Sequence, residues 1–353
     1  MKGLIMLDFF KNKKVFITGH TGFKGTWLAK ILVMAGADVI GYSLEAPTNP
    51  NIFQLSSVEK YIKSYIGDIR DREYLMHVIK EVNPEIVIHM AAQPLVRESY
   101  IDPVYTYETN VMGTVNILEC VRNIDSVRSV LNVTTDKVYE NKEWVYGYRE
   151  VDNLDGYDPY SNSKSCSELV THSYKKAFFD VHKLPLSTAR AGNVIGGGDF
   201  SKDRIIPDCV RAASMNMEIE VRNPNSIRPY QHVIEPLSAY LLIVKSQYED
   251  FSKSGFYNVG PDDEDCVSTG KLVDIFCEKW GEGISWKNIS VDGPHEANFL
   301  KLDCSKIKAK LQWKPQIHIE DAVSRVVEWS KSYTHKEDYN SIMEKQIKEY
   351  FYK

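Results

Sequence analysis

Apolar positions in the first half of the chain alternate between two patterns. The run Lys14-Val15-Phe16-Ile17-Thr18 is short, β-branched and ends at a glycine-rich turn, after which Trp27, Leu28, Ile31 and Leu32 recur at helical spacing. Strand, turn and helix are predicted, with Gly36 placed to close the helix. Further strands are expected from Ala37 to Ser43 and from Lys63 to Ile66. Between Asp71 and Val82 a capping aspartate precedes Leu75, Val78, Ile79 and Val82 on one face, and Asn83-Pro84 stops the helix. Then come an apolar strand from Glu85 to Met90, a helical stretch from Pro103 to Val121, and a strand from Ser129 to Thr134.

Such a βαβαβ alternation marks an α/β fold, a Rossmann-like doubly wound parallel sheet whose ligands sit at the carboxyl ends of the strands. After the strand from Leu186 to Arg190 the pattern is less regular, with Gly196-Gly197-Gly198-Asp199 and short mixed elements. The expected division is a dinucleotide-binding domain over 1–190 and a smaller mixed α/β substrate-binding region over 191–353, with segments returning to the first domain. No internal repeat or flexible linker separates them.

Composition narrows the function classes. At 353 residues, 43% hydrophobic and 26% charged, the chain is an ordinary globular sequence with a sizeable core. A net charge of -5 without a basic stripe argues against nucleic-acid binding and is compatible with a phosphorylated small molecule. Cys120, Cys166, Cys209, Cys266, Cys277 and Cys304 are widely spaced with no CxxC pair, which suits a reducing compartment. Asp8 interrupts Leu4, Ile5 and Leu7, so export is not expected, and no apolar run is long enough to span a membrane. A cytoplasmic location is the expectation. The nine histidines show no ligand spacing, so no catalytic metal is indicated.

The chemistry is expected just after the strands. Gly19-His20-Thr21-Gly22-Phe23-Lys24-Gly25 joins the first strand to the first helix, where glycines let backbone N–H groups approach a pyrophosphate. Lys-Gly-Thr reverses the order that a Walker A loop requires, which disfavours ATP. The acid that usually holds the adenosine ribose is missing, because the second strand ends in Tyr42-Ser43-Leu44. Asp68 either bonds the adenine amino group or caps the next helix. Tyr160 and Lys164 lie one turn apart on one helix face, and a nearby ammonium favours the phenolate that would take a hydroxyl proton. Thr134-Thr135-Asp136-Lys137 closes a strand at the sheet's ligand edge.

Through GHTGFKG at 19–25, the Tyr160/Lys164 pair and Thr135, the chain resembles the extended short-chain dehydrogenase/reductase superfamily. TTDKVYEN at 134–141, YDPYSNSKSCSELV at 157–170, ARAGNVIGGGDF at 189–200, RPYQHVIEPLSAYL at 228–241 and LQWKPQIHIEDAVSRVVEWS at 311–330 are similar to the CDP-glucose 4,6-dehydratase branch. The resemblance implies NAD as cofactor and a nucleoside-diphosphate hexose, CDP-glucose by preference, as substrate. It implies Tyr160 as the base for the C4 hydroxyl, Thr135 as its orienting partner, Lys164 as the phenolate's partner and Asp136 as the acid for the C6 hydroxyl. Lys137 stands where dTDP-glucose dehydratases carry a glutamate C5 base, and either a neutral Lys137 or another group takes that proton. The implied NAD site comprises the 19–25 turn, Ser43, Asp68, Ile69, Ala91, Ala92, Tyr160 and Lys164. The implied substrate site comprises Gln93, Arg97, Asn193, Arg204, Arg228 and Gln231, with His232 either there or simply returning the chain to the sheet. A homodimer paired through helices of the dinucleotide domain is expected. Rival readings are a sugar-nucleotide 4-epimerase or 4-reductase, and a noncatalytic binding protein of the same fold.

Overall fold

A computed structural model describes residues 6–289 and 299–352, so Leu4 and Ile5 of the amino-terminal stretch lie outside the described residues. The expected strands form in order: β1 (Lys14–Thr18), β2 (Asp38–Ser43), β3 (Lys63–Ile66), β4 (Ile86–His89), β5 (Ser129–Thr135), β6 (Leu186–Ala191), joined by β7 (Phe256–Val259). They make one seven-stranded sheet in the order β7-β6-β5-β4-β1-β2-β3, with every pair parallel. Strand order reverses between β1 and β4, and a crevice opens at such a switch point beyond the carboxyl ends of the strands. β7 is the one strand of this sheet that the sequence pattern did not reveal.

Residues typical of helix ends set the helix limits. Helix α1 (Phe23–Met34) is followed by Gly36 at φ +76°, where a side chain would be strained. Helix α2 (Arg72–Val82) starts where the Asp71 carboxylate accepts the Tyr74 N–H, 3.0 Å away, and ends at Asn83 in a left-handed conformation. The stretch expected to be one helix over 103–121 contains a π-helical turn at Glu108–Met112 before α3 (Gly113–Val121). Asn110 sits in that turn, and its amide reaches the Ser163 hydroxyl and the Gln93 carbonyl.

Apolar residues cover both sheet faces. Trp27, Leu28, Ile31 and Leu32 of α1 join Leu237, Tyr240 and Leu241 of the long helix α6 on one face. That helix is Ile234–Glu249, and α4 (Pro159–Tyr174) and α5 (Ile205–Ser214) precede it. Leu75, Val78 and Ile79 of α2 and Ile117, Leu118 and Val121 of α3 cover the other face. The remaining long helices are α7 (Thr269–Trp280), α8 (Ile319–Thr334) and α9 (Tyr339–Phe351).

A buried carboxyl fastens the carboxyl-terminal part of the chain. Glu235, near the start of α6, accepts the Gln316 and Ile317 N–H groups at 2.7 and 2.6 Å and the Tyr350 hydroxyl at 2.8 Å. Burial outweighs these donors and pushes its carboxyl up to about 7 from an ordinary value of 4.5. A folded-state pKa above the unfolded one contributes stability that is fully present below pH 4.5 and is lost as pH rises through 7. The contribution is on the order of 3 kcal/mol. Melting curves of the protein and of Glu235→Gln across this window should therefore differ in slope. The native protein loses stability towards neutrality, and the glutamine variant, which cannot ionise, loses less.

Candidate active site

Three glycines of the first turn do different work. A Cβ at Gly25 would stand 2.1 Å from the Gly19 carbonyl oxygen, and one at Gly19, whose φ is +79°, would stand 2.8 Å from the Ala91 nitrogen. These two let α1, β1 and the loop after β4 close on one another. At Gly22 an added Cβ would meet only the Gly19 oxygen, at 3.5 Å, and no side chain caps the start of α1. The helix N-terminus therefore presents N–H groups at an open glycine, which fits a dinucleotide pyrophosphate.

Around this turn the candidate residues divide. The Thr21 hydroxyl lies 2.9 Å from that of Ser43, so a pair of hydroxyls stands at the end of β2 where an acid is usual. His20 contributes backbone to the turn, but its ring points under β2, 2.7 Å from the Ser64 hydroxyl and edge-on to Phe53. Burial pushes that ring down to about 4, so it is neutral. Asp68 does not cap α2, since Asp71 does; its carboxylate takes the Arg70 guanidinium at 2.8 to 3.2 Å. Ile69 is buried against Gly113, and Ala91 donates its N–H to Thr18 Oγ1 at 3.1 Å, with half-buried Ala92 next in the loop. Phe23 faces Gly196, and Lys24 reaches inward to the Tyr240 hydroxyl at 3.3 Å.

The catalytic candidates converge where β5 meets α4. Asp158 caps α4 by accepting the Ser161 N–H at 2.9 Å, and Pro159 fits the first turn. Tyr160 and Lys164 follow on the buried face, with Thr135 next to the Tyr160 phenol. Burial pushes Tyr160 up to about 12, and the nearby Thr135 hydroxyl opposes it. Lys164 donates to the Val133 carbonyl at 3.4 Å, and burial lowers its ammonium to about 8. Asp136 is almost fully enclosed: one carboxyl oxygen accepts from Thr135 Oγ1 at 3.0 Å, and the other has no hydrogen-bond partner among the described residues. Burial raises its pKa, with half-buried Lys137 as the main opposing charge. The arrangement offers a phenol with an attendant ammonium, an orienting hydroxyl, and a carboxyl biased towards its protonated form.

The candidates for substrate contact are less uniform. Arg204 and Arg228 border the catalytic cluster, since Arg204 acts electrostatically on Tyr160 and Arg228 on Asp136. Arg204 also pairs with Asp199 at 3.0 Å. Arg97 lies 3.6 Å from Asp203, which Arg222 also contacts at 3.1 Å. Half-buried Asn193 follows β6 and gives its carbonyl to the Gln231 N–H at 2.9 Å. Gln93 uses its amide on its own loop and the short helix Pro103–Tyr107, donating to Leu95 O and Thr106 Oγ1 and accepting the Leu95 N–H. Gln231 is buried and donates to Val259 O, and His232 is a buried neutral ring pushed down to about 3, edge-on to Trp27. His232 lies in a two-residue strand that pairs with Val194–Ile195 apart from the seven-stranded sheet, so it does not itself return the chain to that sheet.

Sequence reasoning did not single out Glu168, Arg190, Tyr240 or Arg222. Glu168 had a signal, because it continues the Tyr160 and Lys164 face by one further turn. Lys24 was expected beside a cofactor only; its ammonium, pushed down to about 7 by burial and by nearby Lys164 and Arg204, belongs equally to the catalytic cluster.

Comparison with known proteins shows the family. The model of the GDP-mannose 4,6 dehydratase family matches residues 16–326. The CDP-glucose 4,6-dehydratase of Salmonella typhimurium is 47% identical over 353 residues, covering 98% of each chain. Among solved structures, the NAD complex of a dTDP-glucose 4,6-dehydratase from Bacillus anthracis superposes with a TM-score of 0.77 at 21% identity, over 93% of this chain and 99% of that one. The Streptomyces venezuelae dTDP-glucose 4,6-dehydratase gives 0.78 at 21% identity with the same coverage. At that identity the structures share the fold, while the match across most of the sequence carries the family: the chain belongs to the GDP-mannose 4,6-dehydratase family.

Proposed function

We propose that this protein is an NAD-dependent hydro-lyase that converts CDP-D-glucose to CDP-4-dehydro-6-deoxy-D-glucose and water. The observation that carries the reading is Asp136, a buried carboxyl with one unpartnered oxygen beside the Tyr160–Thr135 pair. A 4-epimerase or 4-reductase needs the tyrosine and threonine but no acid for a C6 hydroxyl. The near full-length likeness to the Salmonella enzyme supports both the reaction and the cytidine nucleotide.

NAD, held by the 19–25 turn and the start of α1, would supply the acceptor and donor for a hydride that leaves C4 and ends at C6, which keeps the reaction redox-neutral overall. The chain supplies the proton chemistry. Thr135 orients the C4 hydroxyl, and Tyr160 as phenolate takes its proton while the Lys164 ammonium stabilises the phenolate charge. The 4-keto group acidifies C5–H, which a neutral Lys137 or another group removes, and Asp136 protonates the departing C6 hydroxyl. Gly19, Gly22 and Gly25 with the start of α1 hold the pyrophosphate of the dinucleotide, and Arg204 and Arg228 neutralise the sugar-nucleotide diphosphate.

The same proposal divides the chain into 1–190 for the dinucleotide and 191–353 mainly for the sugar nucleotide. It also includes a cytoplasmic homodimer. Ile101, Val104, Met112 and Leu169 on helices of the dinucleotide half are exposed apolar side chains that a second copy could cover. Among the described residues no helix is long and apolar enough to cross a membrane.

Incubating purified protein with CDP-glucose and NAD should yield a 4-keto sugar nucleotide lighter by one water, read by mass spectrometry. Turnover only with another nucleoside-diphosphate glucose would correct the base, and no turnover across such a panel would overturn the enzyme reading. Asp136→Asn should lower dehydration by about 10²–10⁴-fold while oxidation at C4 persists, seen as accumulation of the 4-keto sugar that retains its C6 hydroxyl. Lys137→Ala should bind nucleotide but lose solvent deuterium incorporation at C5; unchanged incorporation excludes Lys137 as that base.

A further inference from the structure

Below the catalytic tyrosine and lysine, α4 carries a third buried side chain on the same face. Tyr160, Lys164 and Glu168 are spaced four residues apart, one helical turn each. Glu168 is wholly buried, as is Arg190 of β6, whose guanidinium lies 2.9 Å from its carboxylate. The carboxylate also accepts Thr134 Oγ1 at 2.5 Å and Thr188 Oγ1 at 2.9 Å. It therefore ties α4 to β5 and β6 beside the residues that hold Lys164 and Tyr160: Val133, whose carbonyl takes the Lys164 ammonium, and Thr135.

We propose that Glu168 is a positioning residue for the dehydration, fixing the Lys164 ammonium in its charged form and in its place beneath Tyr160. The inference rests on the reading of Tyr160 and Lys164 given above. Three observations support the electrostatic part. Glu168 is an anion across the working range, because Arg190 and its hydrogen bonds hold it down at about 2 despite burial. Burial alone lowers Lys164, and Glu168 is the charge that opposes this. The other groups around Lys164 give it no competing anion at short range. His89 of β4 is neutral, pushed down to about 3, and Lys24 of the glycine turn is a second cation. Tyr160 carries its charge only during the reaction, the Asp136 carboxyl is bonded to Thr135, Arg190 pairs with Glu168, and His172 lies 3.6 Å from the same carboxylate.

The test reads Lys164 directly in the free protein, by carbon-13 NMR of lysine labelled at Cε, with the signal assigned through Lys164→Arg. In Glu168→Gln the Lys164 titration should move down by about one pH unit or more. With CDP-glucose and NAD, the alkaline limb of kcat should move down with it, while KM changes little. Glu168→Asp, which keeps the charge, should restore most of the limb. An unchanged Lys164 titration in Glu168→Gln overturns the inference, since a carboxylate that only braces the helix would alter thermal stability and leave the titration where it was. If Glu168→Gln does not fold, Arg190→Met reads the same coupling by removing the partner that keeps the buried carboxylate ionised. The Lys164 titration should move, and an unmoved titration would overturn the inference. A shifted titration in a protein that turns over no sugar nucleotide would instead uphold the coupling and reject the enzymatic reading.

Discussion

Helix α4 is held against the sheet by polar groups, and the site depends on that contact. Its buried residues are Tyr160, Ser161, Ser163, Lys164, Ser165, Ser167, Glu168 and Thr171, with no aliphatic side chain among them. Apolar packing tolerates small rotations of a helix, whereas hydrogen bonds between fixed partners do not. Here Asn132 of β5 reaches Ser167 and Thr171, Ser165 donates to the Val138 carbonyl, and Ser167 meets Thr114 of α3. Small serines bring the helix close, and each buried polar group would be costly without its partner. The rotation and rise of α4 are thereby set, and with them the positions of the Tyr160 phenol and the Lys164 ammonium.

The same contact separates the behaviour of two buried acids. Glu168 faces a guanidinium and two hydroxyl donors and stays ionised, whereas Asp136 has one hydroxyl donor and an unpartnered oxygen, and its pKa rises. Both sit on or beside the β5–α4 contact, so on the proposed reading environment rather than residue type assigns one to charge placement and the other to proton donation.

What could be read from sequence follows from what leaves a periodic trace. Strands β1, β2, β4 and β5 were legible because strands buried on both faces read as short apolar runs, and the 19–25 turn was legible because the glycines and the flanking elements specify its shape together. The polar face of α4 left no apolar stripe, so only the Tyr160/Lys164 pair was visible and Glu168 was not. Its partner Arg190 sits in a strand where an arginine reads as an interruption; only the fold brings it opposite Glu168. β7 was missed for a related reason. Phe256–Val259 is four residues long, lies far along the chain from its neighbour β6, and pairs with it only through the crossover that α6 provides. Single side chains were the least legible: the His20 and His232 rings and the Gln93 amide are absorbed by their surroundings, and spacing says nothing about where a ring points.

Asp136 and Lys137 also show why adjacent residues suit an elimination. Loss of water across C5 and C6 requires one group to accept a proton and another to give one, with no net change in the site's charge. With a neutral Lys137 as the C5 base, it gains the proton that leaves C5 while Asp136 gives one to the departing hydroxyl, so the pair's total number of protons is unchanged. One transfer between neighbours, or one through water, restores both. An acid and a base far apart in the fold would each need its own route to solvent, and a site that must retain a reactive 4-keto intermediate is better closed. Enclosure raises the Asp136 carboxyl towards the protonated form the step needs, and so the burial that protects the intermediate also prepares the acid.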